Sequence, residues 1–178
     1  MKRTALLLID VQPVFMTSPR MLTVDGDDLT AKCSRLIDRA RSSGIPVVYV
    51  QHVDPDDLPD DVDDAQVAFH PDVAPRDGES VVGKRFGSGF MDTPLHELLQ
   101  GEEITHVVAC GLSAYGCVNA TVLYGRLLGY DVTVVLDAVA APELERFPPR
   151  TGIPTFAREW RRVGIELSSS EEAMALLA

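Results

Sequence analysis

An acid, an amine and a thiol each follow an apolar run of this sequence, and the thiol is a candidate nucleophile. Asp10 ends the first apolar run, Lys84 ends the third, and Cys117 lies a few residues beyond the fourth. In an open parallel sheet, ligands bind beyond the carboxyl ends of the strands. We therefore expect the three side chains to converge on one edge. Glycines flank Cys117, and the N-terminus of the helix predicted there would lower the pKa of its thiol.

Each of these side chains also has a purely structural interpretation. Asp10 could cap an amide at the start of a loop, Lys84 could be an ordinary surface cation, and Cys117 could be a small buried apolar residue. Lys84 is one of only three lysines beside thirteen arginines, and an ammonium is a compact charge that can approach a thiolate. Cys33 and Cys110 lie inside apolar patterns, which favours a structural role for both.

Alternating strand and helix patterns predict one α/β domain over residues 1–178. Continuous apolar runs are typical of buried parallel strands. Helices between them predict right-handed crossovers that cover both faces, so a mostly parallel six-stranded sheet forms the middle of three layers. The predicted strands are 4–9, 46–51, 80–82, 104–110, 130–136 and 163–167. The predicted helices are 27–43, 94–101 with Thr93 as N-cap, 115–128, one that includes 158–162, and one capped by Ser170 that runs to Leu177.

Composition excludes several classes of function. The chain has 27 acidic and 16 basic residues and a net charge of −11, whereas nucleic-acid binding needs a basic surface. Its longest apolar runs have about five residues, while a membrane span needs about 20. The basic start and the run to Ile9 resemble a signal peptide, but Asp10 interrupts the run too early, so we expect a cytoplasmic protein. Three cysteines without a CxxC pattern argue against a disulfide framework or a zinc site.

One segment, 54–64, is strongly biased, with seven aspartates and two prolines. Burying so many unpaired carboxylates would be too costly, so the segment is predicted to be a solvated loop. It lacks the glycine turn and the terminal glutamate of a calcium-binding loop. Whether it covers the reactive edge as a lid is left open.

Four segments resemble the isochorismatase-like cysteine hydrolase family and occur in the family's order. They are LLLIDVQPVF (6–15), FHPDVAPRDGESVVGKRFGSGFMDTPLHELL (69–99), ITHVVACGLSAYGCVNAT (104–121) and GYDVTVVLDAVA (129–140). The resemblance covers most of the chain and implies a Rossmann-like fold, in agreement with the strand and helix patterns.

The resemblance implies a catalytic triad of Asp10, Lys84 and Cys117. The cysteine would attack a carbonyl carbon, and the aspartate would take its proton and pass one to the leaving nitrogen. Lys84 would stabilise the thiolate and hold Asp10 ionised. The resemblance further implies a cis peptide between Leu112 and Ser113, an oxyanion hole built from the amides of Ser113 and Cys117, no cofactor, and a homo-oligomer, either a dimer or a tetramer.

The expected activity is cysteine-dependent hydrolysis of a C–N bond in a small amide, ureido or cyclic amide compound, through a thioester. Isochorismatases proper lack this cysteine and cleave a vinyl ether, so that activity is an alternative. Nicotinamidases, a second alternative, carry a metal-binding Asp-x-His. Here the order is reversed in His52 and Asp54, with only His70 further on, and we expect no metal. A phosphoacceptor module would need an acceptor aspartate at a middle strand end, where this chain has Gln51 and His52.

Three aromatic residues are candidates for contact with a small-molecule substrate. Phe15 falls where the family places an aromatic wall, and Phe86 and Tyr115 could close the pocket. Segment 143–154, with three of its residues proline, is predicted to be a loop at the pocket rim.

Overall fold

Six parallel strands form one sheet in the computed structural model, which describes residues 2–17, 26–54, 63–143 and 148–178. The strands are β1 (Thr4–Ile9), β2 (Val47–His52), β3 (Ser80–Lys84), β4 (His106–Leu112), β5 (Asp131–Ala140) and β6 (Glu166–Ser168). Their order across the sheet is β3-β2-β1-β4-β5-β6, and each of the five pairings is parallel. The predicted α/β class is confirmed, and the sheet is parallel throughout rather than mostly so.

Helices flank this sheet on both sides. They are α1 (Pro13–Thr17), α2 (Gly26–Ser42), α3 (Asp64–Val67), α4 (Leu95–Gly101), α5 (Cys117–Leu127), α6 (Pro149–Arg162) and α7 (Ser170–Leu176), with a 3-10 turn at Pro71–Val73. Within the described ranges, no helix is both long and apolar enough to cross a membrane.

Two hydrophobic cores lie on the two faces of the sheet, and β1 contributes to both by alternation. Ala5, Leu7 and Ile9 pack with residues of α4, α5 and α6 on one face. Leu6 and Leu8 pack with residues of α2 and α7 on the other. A strand buried on both faces appears in the sequence as a continuous apolar run, which is why β1 has no polar residue after Thr4. With both faces covered, the ends of the strands are where a ligand can reach the sheet.

At two helices the N-cap lies one residue away from the predicted cap. At α4, Pro94 takes the N-cap position, but the Thr93 hydroxyl still accepts from the Leu95 amide at 3.3 Å and donates to the carbonyl of Gly89. At α7, Ser169 is the N-cap and shares a capping box with Glu172. Serines adjacent in sequence compete for the cap, and the one whose side chain reaches the third helical amide takes it.

The prediction of a loop over 143–154 is wrong for its second half, where α6 begins at Pro149 and continues through Pro154. A proline is well suited to the first helical position because its φ is already helical. Pro154 removes one helical hydrogen bond, but Trp160 on the same helix is fully buried. Packing therefore outweighs the local preference. Residues 144–147 lie outside the described part of the chain.

Strand β5 continues past Leu136, where the sequence pattern predicts its end, and Asp137 is therefore a residue of the strand. A register shift against β4 lets β5 run on to Ala140. The Asp137 carboxylate instead accepts hydrogen bonds from the amide of Ser170 at 2.6 Å and from its hydroxyl at 2.7 Å. Asp137 therefore fixes the start of α7.

The acid-rich segment 54–64 is described only at its ends. Residues 55–62, and with them the question of a lid, lie outside the described residues. Asp63 and Asp64 begin α3 instead of continuing a loop, because Asp63 forms a capping box with Gln66.

Strand β4 approaches β1 so closely at Gly111 that a side chain cannot fit there. Gly111 pairs with Ile9 and has a φ of +118°, and a Cβ at this position would overlap the Ile9 carbonyl. Asp10 follows Ile9, and the loop to Cys117 follows β4. The close approach therefore brings Asp10 and Cys117 side by side.

We predict that Gly111→Ala lowers the free energy of unfolding by more than about 2 kcal/mol, because it adds both a positive-φ penalty and an overlap with backbone. Gly101→Ala is the matched control, since a Cβ at the end of α4 meets nothing within 4 Å. Urea unfolding of both variants measures the difference. Equal midpoints for the two variants would contradict this account of the β1–β4 contact.

Candidate active site

Side chains from four neighbouring strand ends meet at one edge of the sheet. In sheet order they are Lys84 at the end of β3, His52 at the end of β2, Asp10 directly after β1, and Cys117 in the connection after β4. The structure thus brings together the acid, the amine and the thiol that the sequence placed at one edge. It adds a histidine to them.

The Lys84 ammonium contacts all the other members of this cluster. Its Nζ lies 2.8 Å from Asp10 Oδ2, 3.2 Å from Cys117 Sγ and 3.2 Å from His52 Nδ1. Only 1% of Lys84 is exposed. An ammonium has three N–H donors, so one protein acceptor stands opposite each donor in place of water.

A lysine is needed at this position because of distance. Lys84 lies on β3, and Asp10 follows β1, two strands away. Neighbouring strands are about 4.8 Å apart, so the charge must cross about 10 Å of sheet. The extended lysine side chain covers most of that distance and the Asp10 side chain covers the rest, so that Nζ and Oδ2 meet at 2.8 Å. The lysine stem passes over the end of β2, where it meets His52.

Asp10 is held at the start of the turn after β1. Its φ is +50°, a region that aspartate tolerates better than most residues. Its amide donates to the Val50 carbonyl at 2.9 Å, and its carbonyl accepts from the Gln12 amide at 2.8 Å. These bonds fix the backbone on both sides of the carboxylate, which is 2% exposed.

Cys117 is the first residue of α5. In the loop before it, the peptide bond between Leu112 and Ser113 is cis, at the position that the resemblance implies. The Ser113 carbonyl accepts from the amides of Gly116 at 3.0 Å and Val118 at 3.1 Å, which tightens the loop around the cysteine.

The segment after Lys84 is tied to the helix that begins at Cys117. Thr121, one turn into α5 and buried, accepts a hydrogen bond from the Gly89 amide at 2.9 Å. The lysine and the cysteine are therefore positioned by elements that are bonded to each other.

Burial and charge set the protonation of the cluster. Burial raises the pKa of Asp10, and the Lys84 charge opposes that rise. Burial alone would lower the pKa of Lys84, but the Asp10 charge and the hydrogen bonds to Asp10 and Cys117 outweigh it, and the pKa is raised. For Cys117, burial and then the Asp10 charge raise the pKa to about 12, against the pull of Lys84.

The expectation that the helix N-terminus lowers the pKa of Cys117 is therefore wrong. A helix dipole contributes typically 0.3–1 kcal/mol (order of magnitude) at an exposed terminus, less than the penalty of a second buried anion beside Asp10. A buried ammonium needs one counter-charge, and the thiol does not supply it. At rest the cluster is an Asp10–Lys84 ion pair beside a neutral thiol.

The three aromatic candidates lie in different environments. Phe15 on α1 meets the His52 ring edge-on, with ring centroids 5.8 Å apart. Phe86 follows β3 and is 47% exposed. Tyr115 stacks on Phe156 of α6 at 5.4 Å. Substrate contact by all three stays a prediction. For Tyr115, stacking on Phe156 of α6 is a structural reason for an aromatic residue at this position.

The two histidines considered as metal ligands have other partners. His52 Nδ1 faces the Lys84 ammonium, a cation that competes with any metal at that nitrogen. His70 Nδ1 accepts from the Asp72 amide at 3.3 Å and caps the 3-10 turn. Across the described ranges, no group of three or more His, Cys, Asp or Glu side chains is arranged to hold a metal.

Sequence reasoning missed the roles of His52 and Gln12. Gln12 is fully buried. Its Oε1 accepts from the His52 amide at 2.9 Å, and its Nε2 donates to the His52 carbonyl at 3.1 Å. The contact between His52 and Lys84 was predictable in part, because both residues lie at the ends of strands that the sequence predicts. Their pairing register, which sets them side by side, is not visible in the sequence.

Comparison with known proteins identifies similar sequences over most of the chain. The model of the isochorismatase domain matches residues 4–148. The isochorismatase family protein YddQ of Bacillus subtilis is 31% identical over 144 residues, which are 80% of this chain and 80% of YddQ. Streptothricin hydrolase of Streptomyces noursei is 34% identical over 148 residues, which are 81% of this chain and 57% of the hydrolase.

Solved structures agree with this match. An isochorismatase from Pseudomonas putida KT2440 superposes with a TM-score of 0.89 at 27% identity, covering 97% of this chain and 91% of the other. N-carbamoylsarcosine amidase from Thermoplasma acidophilum superposes with a TM-score of 0.80 at 28% identity, covering 96% and 98%.

The protonation of the cluster predicts how Cys117 reacts with iodoacetamide. Because its thiol has a pKa of about 12, alkylation should accelerate with pH well beyond pH 9. Asp10→Asn removes the neighbouring negative charge and should accelerate alkylation at pH 9, whereas Lys84→Met removes the positive charge and should slow it. Rates from intact-mass spectra measure this, with Cys117→Ala as the blank. A rate that levels off near pH 7 in the wild type, or a slower Asp10→Asn variant, would contradict the assignment.

Proposed function

The chain belongs to the isochorismatase family of hydrolases, and on that premise we propose that it is a cysteine-dependent amidohydrolase. Its substrate would be a small amide, ureido or cyclic amide compound, cleaved at a C–N bond through a thioester. One observation carries the proposal: the Lys84 ammonium stands between the Asp10 carboxylate and the Cys117 sulfur, within 2.8 and 3.2 Å.

In the first half of the proposed reaction, Cys117 Sγ attacks the substrate carbonyl carbon while its proton passes to Asp10. The new C–S bond gives a tetrahedral intermediate. The C–N bond then breaks, and the proton held by Asp10 passes to the leaving nitrogen. The products of this half are a free amine or ammonia and a thioester on Cys117.

The intermediate's oxygen needs hydrogen-bond donors, and the amides of Ser113 and Cys117 are our candidates. Cys117 is the first residue of α5, where backbone N–H groups have no partner within the helix. Donors of this kind contribute about 3–4 kcal/mol each to transition-state stabilisation in other enzymes.

In the second half, Asp10 takes a proton from water, and the resulting hydroxide attacks the thioester carbon. The C–S bond breaks, an acid is released, and the proton returns from Asp10 to sulfur. The sum is one amide and one water converted to one acid and one amine, with the three side chains restored.

The pKa shifts in the cluster are consistent with Asp10 carrying the proton in both halves of the proposed reaction. A general base works best when its pKa lies near the operating pH. Burial moves the pKa of Asp10 upward from 3.8, while Lys84 compensates the thiolate charge that develops on Cys117. The thiol is therefore activated only as substrate carbon approaches, and no free thiolate is exposed at rest.

The activities after which two of the similar proteins are named support C–N bond cleavage. Streptothricin hydrolase and N-carbamoylsarcosine amidase are hydrolases by name, and the second is an amidase. Vinyl ether hydrolysis of the isochorismatase type would have no use for the contact between Lys84 and Cys117. The partners of His52 and His70 give no support to a metal-dependent nicotinamidase. A cytoplasmic location and a dimer or tetramer remain our predictions.

We predict that the wild type releases ammonia or an amine from at least one member of a panel of small amides, ureas and lactams. Cys117→Ser should lose at least about 1000-fold of that turnover, since a hydroxyl is a far weaker nucleophile in this environment. Coupled ammonia detection and mass spectrometry of the products measure it.

Cys33→Ala is the matched control for this panel, because Cys33 is fully buried in the α2 core, away from the cluster. It should retain turnover within about threefold of the wild type. If Cys117→Ser retains as much turnover as Cys33→Ala, the assignment of Cys117 as the nucleophile is contradicted.

The pH dependence of kcat/KM should show an acid limb above pH 3.8, because the pKa of Asp10 is raised from that value. As pH falls through this pKa, Asp10 becomes neutral and can no longer accept the thiol proton, so activity is lost toward acid. Steady-state rates from pH 4 upward measure the limb. Activity that instead rises as pH falls would point to acid-catalysed vinyl ether cleavage and count against the proposal.

A further inference from the structure

We propose that His52 is a positioning residue of this reaction centre. Its neutral imidazole accepts the third hydrogen bond of Lys84 and thereby directs the other two N–H groups to Asp10 and Cys117. The inference rests on the proposed function for its catalytic consequence, but not for its geometry.

The sheet register places His52 on the path of the lysine. His52 and Lys84 are paired residues of the parallel strands β2 and β3. The lysine side chain must cross the end of β2 to reach Asp10 beyond it, so it passes the side chain at position 52. His52 Nδ1 lies 3.2 Å from Nζ, at hydrogen-bond distance.

Chemistry decides the direction of this hydrogen bond. A lysine ammonium is only a donor, and the Asp10 charge keeps Lys84 in that form. His52 Nδ1 must therefore be the acceptor, so the proton of the neutral ring is on Nε2. Lys84 is 1% exposed and His52 is 6% exposed, which leaves little room for water to take the place of the imidazole.

The imidazole is itself fixed by elements on two sides. The buried Gln12 amide bonds both the N–H and the carbonyl of His52, so the backbone at the end of β2 is clamped to the turn after Asp10. Phe15 packs edge-on against the ring at 5.8 Å. Such support is what a group needs if it is to hold a flexible four-carbon side chain in one rotamer.

Without the acceptor at position 52, one donor of the buried ammonium has no partner. The ammonium can then turn away from Cys117, which weakens its stabilisation of the thiolate. The expected effect is a rise in the pKa of Cys117, slower alkylation, and a lower kcat. KM should change little, because His52 touches the lysine and acts through it.

The test compares His52→Leu, which keeps bulk and removes the acceptor, with His52→Asn, whose Oδ1 takes the place of Nδ1. His106→Leu is the matched control. His106 is a buried histidine at the opposite end of the sheet, bonded to Thr4 Oγ1 at 3.1 Å and Thr133 Oγ1 at 2.9 Å. Each variant is assayed for iodoacetamide alkylation of Cys117 at pH 9 and, with any substrate found in the panel, for kcat and KM.

We expect His52→Leu to slow alkylation at least about threefold, which corresponds to a rise of about half a pKa unit. We expect it to lower kcat about tenfold to a hundredfold, with KM within about twofold of the wild type. His52→Asn should recover most of both losses, and His106→Leu should change neither rate. Wild-type rates in His52→Leu, or equal losses in the Leu and Asn variants, would overturn the proposal.

A measurement on the unmodified protein covers the case in which His52→Leu does not fold. Nitrogen NMR of histidine-labelled protein should show His52 as the tautomer with Nε2 protonated and Nδ1 bare at neutral pH. A proton on Nδ1 would overturn the proposal. Alkylation and NMR need no substrate, so the inference about His52 can hold where amide hydrolysis fails, and it can fail where hydrolysis is observed.

Discussion

A lysine ammonium removed from water constrains everything else at this edge of the sheet. Moving an ion into a protein interior costs several kcal/mol (order of magnitude) unless charge and hydrogen bonds compensate it. The desolvation cost of the Lys84 ammonium is offset by contacts with one carboxylate, one sulfur and one imidazole, at 2.8 to 3.2 Å from Nζ. Because Asp10 supplies the counter-charge, the thiol stays protonated at rest, with a pKa of about 12. In the reaction that we propose, this pair of charges stabilises a thiolate that forms only during turnover.

The topology of the sheet makes this compensation possible. The order β3-β2-β1-β4 sets four carboxyl ends side by side, and each contributes one member of the cluster. Gly111 allows β4 to come close to β1, and Thr121 ties the segment after Lys84 to α5. The ligand edge of a parallel α/β sheet is a general property. Here that edge holds the Asp10–Lys84 ion pair, because a long cation on β3 reaches a carboxylate that follows a strand two positions away.

Much of this arrangement was predictable from the sequence, for physical reasons. A buried parallel strand shows its nature as a continuous apolar run, so β1 and β4, and with them Asp10 and Cys117, could be placed early. What the sequence hides are effects of tertiary contact. The pKa of Cys117 depends on burial and on a charge from another strand. His52 gains its role from strand register, and Pro154 stays helical because α6 packs on the sheet. The local sequence pattern instead favours a lowered pKa for Cys117, no contact between His52 and Lys84, and a loop at Pro154.

The central claim is that Cys117 carries the acyl group of the substrate while Asp10 moves the protons. Its most direct test is rapid-quench intact-mass spectrometry of the enzyme turning over a substrate, followed by peptide mapping. We expect a transient mass increase equal to the substrate less its leaving amine, located on the peptide that contains Cys117 and absent in Cys117→Ala. Turnover without any acyl-enzyme, at a rate that Cys117→Ala retains, would mean that water attacks the substrate directly and would contradict the account.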